Sequence, residues 1–227
     1  MGRKTVVILE DFDIQDAHGK WRKSWSTPTG ITGVYEQHRT LSSRRWNRIN
    51  NRSNPNGCDQ RKNPTYIGTQ NHFADFNEFV EWSRNEVGYS LKEETIKGIQ
   101  NWAIDKDILN SGNKIYSPST CIFVPTRVNT LIISCNAARG EFPIGVYYIS
   151  DKNRYTAECR TDKKSKYLGC FTDPMEAHRA WQKAKITFGR TVADEYKNFH
   201  RKLYKGLNSW CDNLQDDYDN CRETIKL

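Results

Sequence analysis

The stretch between Ile104 and Asn129 constrains the fold of this chain more than any other part of the sequence. A short apolar run carries Asp105 and Asp107 at its end, residues 112–114 form a Gly-Asn-Lys turn, and a second apolar run ends at a proline ahead of Asn129. A strand, a turn, a strand and a helix in this order bring carboxylate and amide oxygens together, and such hard ligands bind divalent cations. The pattern predicts a ββα hairpin around one divalent metal ion.

The charge of the chain favours a polyanionic partner. Its 227 residues include 35 Lys and Arg against 27 Asp and Glu, which gives a formal net charge of +8. Aromatic residues make up 12% of the chain, so it is not a disordered basic tail. We expect nucleic acid as the partner and no small-molecule cofactor.

Hydropathy and cysteine spacing bear on the cellular compartment. No apolar run approaches the roughly 20 residues that cross a bilayer, and the apolar run at residues 5–9 is too short for a signal peptide. The seven cysteines are odd in number and lack Cys-x-x-Cys spacing, which argues against a disulfide framework and a zinc ribbon. We expect an intracellular, cytoplasmic protein with reduced thiols and no membrane partner.

Residues 1–139 are expected to form the first of two domains in an α+β fold. Residues 5–9 read as a β-strand, residues 35–52 as a basic helix and residues 75–85 as a helix with an aromatic core face. The core hairpin follows at about 102–134. The acidic residues near the N-terminus are expected to be solvated: Asp11, Asp13 and Asp16.

Several basic residues of this domain are candidate DNA contacts. They lie on the basic helix, in the polar loop at residues 50–69 and in the hairpin turn. The candidates are Arg44, Arg45, Arg48, Arg52, Arg61, Lys62 and Lys114.

Residues 140–227 are expected to form the second domain. Three short alternating runs are separated by polar turns and predict three antiparallel strands, at residues 145–149, 155–160 and 167–171. Asp173 and Pro174 then mark the start of a helix, with alanines and a tryptophan at helical spacing. The sheet and helix occupy residues 144–190, and a helical tail is expected at about residues 192–204.

Four pieces of the first domain occur in a recognisable order. They are an arginine-rich helix (44–52), a Pro-Thr-Tyr loop (64–66), an aromatic helix (73–82) and the hairpin (105–129). This order resembles the HNH homing-type endonucleases of phages. The resemblance implies an HNH ββα-metal nuclease module with flanking helices, which hydrolyses phosphodiester bonds in double-stranded DNA with Mg²⁺ or Mn²⁺.

Carried over position by position, the resemblance assigns Asp105 and Asn129 to the metal ion. Thr120 falls at an orienting position, and Lys106 stands where the family has its histidine base. An ordinary lysine, with a pKa near 10.4, is protonated at neutral pH. The resemblance therefore does not identify the residue that would act as the general base.

Three routes would supply the missing base. Asp107 accepts the proton, His72 or His38 reaches in from the preceding segments, or a metal-bound hydroxide attacks while Lys106 stabilises charge on the phosphate. Two alternatives are not enzymes. One is a DNA-binding or regulatory protein that kept the nuclease scaffold, and the other is a structural protein that binds other proteins.

The second domain resembles the plant ethylene-response-factor type of DNA-binding domain, which also occurs appended to phage HNH nucleases. The matching residues are Gly145, Val146, Tyr155, Ala157, Glu158, Arg160, Leu168, Gly169, Phe171, Ala177 and Ala180. The resemblance implies a three-stranded sheet that enters the major groove while Val146, Ala157 and Phe171 pack on the helix. The DNA-facing residues would be Tyr147, Arg160 and Tyr167, supported in the turns by Lys152, Arg154, Lys163, Lys164 and Lys166.

Overall fold

The computed structural model has an α+β fold, as the sequence predicted. It describes residues 5–8, 13–28, 35–95, 98–132, 141–161 and 164–225, and only the backbone of residues 5–8, 25–28, 35–39 and 95. Within these ranges, no helix combines the length and the apolar character that a membrane span requires.

The chain folds into two compact units. The N-terminal unit comprises Met1–Lys106 and Gly112–Phe123, and the C-terminal unit comprises Asp107–Ser111 and Val124–Leu227. The expected division between residues 139 and 140 differs from this one. The chain enters the C-terminal unit at residue 107, returns to the N-terminal unit at residue 112 and leaves it again after residue 123. A single change in composition along the sequence cannot mark such a boundary.

The strands of the N-terminal unit are short. They are β1 (Thr5–Ile8), β2 (Ile14–Gln15), β3 (Trp21–Arg22), β4 (Ser24–Pro28), β5 (Tyr35–Arg39), β6 (Gln70–Asn71), β7 (Lys92–Thr95), β8 (Gly98–Asn101), β9 (Ala103–Asp105), β10 (Ile115–Tyr116) and β11 (Ile122–Val124), whose last residue belongs to the C-terminal unit. The largest sheet has the order β1-β5-β4, with β1 parallel and β4 antiparallel to β5. Two antiparallel hairpins, β2–β3 and β7–β8, stand apart from it.

Three helices belong to the N-terminal unit: α1 (Leu41–Ser53), α2 (Cys58–Lys62) and α3 (Phe76–Asn85). The helix expected from residue 35 begins only at Leu41, because Thr40 has an extended backbone and its side chain caps the amide of Ser43. The residues before it form β5. The helix expected at 75–85 is confirmed, with Asp75 as its N-cap.

An aromatic core joins α1 to α3. The Trp46 ring lies 5.5 Å from the ring of Phe79, and Phe73 lies 5.2 Å from Phe79 in an edge-to-face arrangement, both between ring centroids. Trp82 extends the cluster by stacking on Phe123 at 5.6 Å. The aromatic stripe read from the sequence is therefore the core face of α3.

Of the N-terminal acids, Asp13 is buried in place of the expected solvation, whereas Asp16 stays near the surface and accepts hydrogen bonds within its own turn. The buried carboxylate of Asp13 accepts hydrogen bonds from the hydroxyls of Ser42, at 2.8 Å, and Tyr89. Asp16 Oδ1 accepts from the backbone amides of His18 and Lys20, which closes the β2–β3 turn. Asp11 lies outside the described residues.

The predicted hairpin at 102–134 forms only in part. β9 pairs with β11, and a helix, α4 (Thr126–Ile132), follows in the chain, so the ββα order is present. The first part of the second apolar run, Ile115–Tyr116, does not pair with β9. It forms β10, which pairs in parallel with β6.

The C-terminal unit is built on a three-stranded antiparallel sheet with the order β12-β13-β14. Its strands are β12 (Val146–Ile149), β13 (Arg154–Thr161) and β14 (Lys164–Phe171). The helix α5 (Pro174–Asp194) starts at the N-cap Asp173, as predicted. Val146, Ala157 and Ala177 form the centre of its contact with the sheet. Phe171 packs against this centre, so the expected packing is confirmed.

The helix expected at about residues 192–204 is divided between two elements: α5 continues to Asp194, and a separate helix, α6, spans Arg201–Asp219. It packs on α5 where Gly189 leaves room, since a Cβ there would lie 2.7 Å from the Cys211 sulfur. At the other end of α5, the residues after α6 bind His178. Its Nδ1 contacts the carbonyl oxygen of Ile144 at 2.9 Å, and its Nε2 accepts from the amide of Thr224 at 3.0 Å.

Candidate nucleic-acid interface

Lys106, expected at the position of the catalytic base, is a buried structural residue. Its side chain is 4% exposed, and its ammonium donates to the carbonyl oxygen of Asn113 at 2.5 Å. Asn113 Nδ2 donates back to the carbonyl oxygen of Lys106 at 2.9 Å. This reciprocal pair closes the loop ahead of β10, so the predicted role of Lys106 in positioning phosphate is wrong.

Thr120, expected to orient or bind the metal ion, is a turn residue. Its hydroxyl donates to the carbonyl oxygen of Ile115 at 2.7 Å and accepts from the amide of Ser117 at 3.1 Å. A hydroxyl has one proton to donate, and the turn uses it.

The remaining candidate catalytic residues do not belong to one unit. Asp105 ends β9 in the N-terminal unit, whereas Asp107 and Asn129 belong to the C-terminal unit. His72 is exposed in the N-terminal unit, where its Nε2 lies 2.7 Å from Gln70 Oε1. The side chain of His38 lies outside the described residues.

The expected Mg²⁺ site takes two ligands from the protein, Asp105 and Asn129. Magnesium prefers an octahedron of oxygen ligands that includes carboxylates. Across the ranges that the structure describes, no group of three or more His, Cys, Asp or Glu side chains is placed to hold a metal ion. The assigned pair, Asp105 and Asn129, offers one carboxylate and one amide from different units.

Arg45, expected to contact DNA from the basic helix, points into the core. Its side chain is 7% exposed, and its guanidinium donates to the carbonyl oxygens of Tyr89, at 3.0 Å, and Trp102, at 2.8 Å. The same group lies 4.4 Å from the ring centroid of Phe123. Arg45 is therefore a structural residue, and its predicted DNA contact is wrong.

Arg52 is half-buried beside two tyrosines. It donates to the hydroxyl of Tyr116 at 3.0 Å and lies 4.6 Å from the ring centroid of Tyr66. Burial raises the pKa of Tyr116 to about 12, so the phenol stays neutral and accepts this bond. The arrangement fixes the end of α1.

The other basic candidates of the N-terminal unit reach solvent to different degrees. Arg48, Arg61 and Lys62 are exposed, whereas Arg44 is half-buried. Lys114 is half-buried and donates to the carbonyl oxygen of Thr65.

The C-terminal sheet brings its candidates together. Residues that pair across an antiparallel sheet share a face, and alternate residues along a strand share a face. Arg154 and Arg160 therefore lie on the same face as Thr156 and Glu158 of β13. Tyr147 pairs with Thr156, and Tyr167 pairs with Glu158, which places both tyrosines on this face.

We call Tyr147, Arg154, Arg160 and Tyr167 the sheet face. This face points away from α5. Val146 and Ala157 pack on the helix, and each is adjacent in its strand to a residue on the side of the sheet face, so the two sets lie on opposite sides of the sheet. Tyr147 is 60% exposed and Tyr167 is 62% exposed, and both arginines are exposed. The sheet face thus presents two aromatic rings and two guanidinium groups to solvent.

Two further residues of this surface were missed by the sequence reasoning. Glu158 accepts a hydrogen bond from Ser165 Oγ at 2.8 Å, so a carboxylate lies between the two arginines of β13. Strand alternation from Arg160 would have found Glu158. Ser165 is harder to place, because an irregularity after Ala157 shifts the register of β14.

The lysines expected to support DNA binding are not all on the sheet face. Lys166 pairs with the buried Cys159 and Lys164 pairs with Thr161, so both lie on the opposite face of the sheet, although they are exposed. This corrects their expected position in the turns. Lys152 is exposed in the turn after β12, and Lys163 lies outside the described residues.

Comparison of the chain with family models, curated proteins and solved structures found no match.

Proposed function

We propose that this protein binds double-stranded DNA through the sheet face of its C-terminal unit. The observation that carries the proposal is the strand register, which aligns two exposed arginines and two exposed tyrosines on the surface opposite α5. Arginine binds phosphates and the guanine edge, and flat aromatic rings cover apolar parts of bases and sugars. The formal net charge of +8 agrees with a polyanionic partner.

The dimensions of the sheet suit the major groove. Three strands about 4.8 Å apart span about 10 Å, and the major groove of B-DNA is about 12 Å wide. Arg154 and Arg160 are six residues apart on β13, which separates them by about 20 Å along the strand. The two arginines would then contact well-separated positions while the tyrosines lie between them.

Binding to a labelled duplex, measured by fluorescence anisotropy, tests this proposal. We expect Arg160→Gln and Tyr147→Ala each to weaken binding about tenfold, since a contact of this kind contributes about 1 to 3 kcal/mol. Lys183→Gln, at an exposed position of α5, is the matched control. Excess single-stranded DNA should not displace the duplex. Equal affinities for Arg160→Gln and the control would contradict the proposal.

Metal-dependent cleavage of DNA is the second candidate function. One observation favours it: β9 pairs with β11, and α4 follows β11 in the chain, as in the ββα order that the HNH resemblance implies. The test is incubation of supercoiled plasmid with the protein in Mg²⁺, in Mn²⁺ and in EDTA, alongside Asp105→Ala. Metal-dependent nicking that is abolished in the variant supports an endonuclease, and binding without cleavage supports a DNA-binding protein that does not cut.

A further inference from the structure

We propose that the N-terminal unit carries a second DNA contact, a phosphate-binding cleft beside the β2–β3 hairpin. The basic cleft, as we call it, is lined by Lys20, Trp21, Arg22, Lys23, Ser24, Asp75, Phe76 and Asn77. This inference rests on the proposed function, because the phosphates in question are those of the bound DNA.

The basic cleft has both the space and the charge for a phosphate. Its volume is about 460 Å³, which holds a phosphate group with its remaining water. The lining includes three cations, Lys20, Arg22 and Lys23, and one carboxylate, Asp75, so two net positive charges remain. The cleft also opens at the start of α3, where the helix contributes a positive partial charge.

The carboxylate in the cleft is already used by the helix. Asp75 Oδ1 accepts from the backbone amides of Asn77, at 2.8 Å, and Glu78, at 2.9 Å. The hydrogen bond from Glu78 is the main reason that the pKa of Asp75 is lowered. Asp75 therefore acts as an ionised helix cap. Lys20 and Arg22 form no close ion pair within the described part of the chain, although the pKa of the Asp16 carboxyl group is lowered first by the backbone amides that bind it and then by the charges of these two cations.

The walls of the cleft are held in place before any ligand binds. The backbone amide of Trp21 donates to Asn77 Oδ1 at 3.1 Å, which ties the hairpin to α3. Arg84 lies 4.9 Å from the ring centroid of Trp21, and the ammonium of Lys23 lies 5.3 Å from that of Phe76. A fixed backbone that carries exposed cationic side chains suits contacts to phosphates, which position a protein on DNA without reading its sequence.

The salt dependence of duplex binding by the full-length protein tests the basic cleft. The cleft variant combines Lys20→Gln, Arg22→Gln and Lys23→Gln. Its matched control, Lys183→Gln with Lys197→Gln and Lys205→Gln, removes three exposed charges from the C-terminal unit, so both variants fall from +8 to +5. We expect the slope of log affinity against log salt to fall by about 1 to 2 in the cleft variant alone, because each phosphate that the protein neutralises adds about 0.9 to this slope.

The outcomes separate this inference from the proposed function. Equal slopes for the cleft variant and the control overturn the cleft as a DNA contact, and the proposed function stands if Arg160→Gln still weakens binding. If the wild-type protein fails to bind duplex DNA at low salt, both proposals fail. Because the three cleft cations are exposed, thermal unfolding of the cleft variant should match that of the control.

Discussion

The arginines of α1 and those of β13 look alike in the sequence and have different environments in the structure. Arg45 of α1 is 7% exposed and bonds carbonyl oxygens of the core, whereas Arg154 and Arg160 of β13 are both exposed on one face. Successive helical residues turn by about 100°, so a run of arginines is spread around the helix axis. Alternation in a strand keeps residues of equal parity together.

A count of basic residues therefore identifies a DNA-binding surface poorly unless the geometry of the element is known. In α1 the guanidinium group of Arg45 is buried and supports the fold, whereas that of Arg48 is exposed to solvent. In β13 the parity of Arg154 and Arg160 already predicts a common face. The sheet is thus the stronger candidate for recognition, and three changes test this contrast.

The largest effect is expected where the sheet meets its helix, at Gly145→Ala. Gly145 has a φ of +80°, and a Cβ would lie 2.0 Å from Cδ1 of Trp181. Backbone strain and the displaced indole should together lower the free energy of unfolding by about 4 kcal/mol. Chemical denaturation measures this change, and duplex binding should weaken with it because the sheet face depends on α5 for support.

Gly98→Ala is the matched control for Gly145→Ala. Gly98 has a similar φ of +93°, but an added Cβ there meets no atom within 4 Å. Backbone strain alone should therefore lower the free energy of unfolding of Gly98→Ala, by about 1 kcal/mol. Equal losses of stability in the two variants would show that the contact with Trp181 contributes nothing beyond the backbone conformation.

The second prediction compares the two kinds of arginine directly. Arg45→Met keeps an unbranched apolar stem in the side chain but leaves the carbonyl oxygens of Tyr89 and Trp102 without these donors, so we expect a loss of about 3 kcal/mol in unfolding free energy. Arg160→Gln, on the sheet face, should change stability by less than about 0.5 kcal/mol. Duplex affinity should show the reverse: corrected for the fraction of folded protein, Arg160→Gln should bind more weakly than Arg45→Met. An Arg45→Met protein as stable as Arg160→Gln would remove the contrast.

Local signals in the sequence were enough for the elements that carry their own caps. Asp75 and Asp173 begin α3 and α5 where expected, because an N-cap and a periodic apolar face lie within one short stretch of chain. The three strands of the C-terminal sheet were found by alternation for the same reason. These elements contain the sheet face, which is why its members could be named in advance.

Elements that depend on distant partners were not predicted. β5 was assigned to a helix because its pairing with β1 and β4 is invisible locally, and β10 pairs with β6 instead of continuing into β11. The burial of Arg45 depends on carbonyl oxygens 44 and 57 residues away. A sequence shows the charge of an arginine and does not show which acceptors the fold will bring to it.

The smallest of the three effects lies in the core of the N-terminal unit and depends on pH. Burial raises the pKa of the Cys121 thiol from 9.0 to about 12. The folded state therefore keeps this proton when the unfolded state loses it. The stabilisation is complete below about pH 9 and is lost as the pH rises from about 9 towards 12, at about 1.4 kcal/mol per pH unit.

Unfolding free energies of the wild type and Cys121→Ala between pH 7 and 10 check this prediction. Cys121→Ala leaves a small cavity, so it should be less stable by a constant amount at pH 7 to 8. Above pH 9 the difference should shrink by about 1.4 kcal/mol per unit, because only the wild type carries this thiol. Cys211, whose pKa burial also raises, destabilises both proteins alike and cancels in the comparison. If the unfolding free energies of the two proteins stay a constant distance apart up to pH 10, water reaches Cys121 in the folded protein. This part of the core would then be open to solvent, like the sheet face.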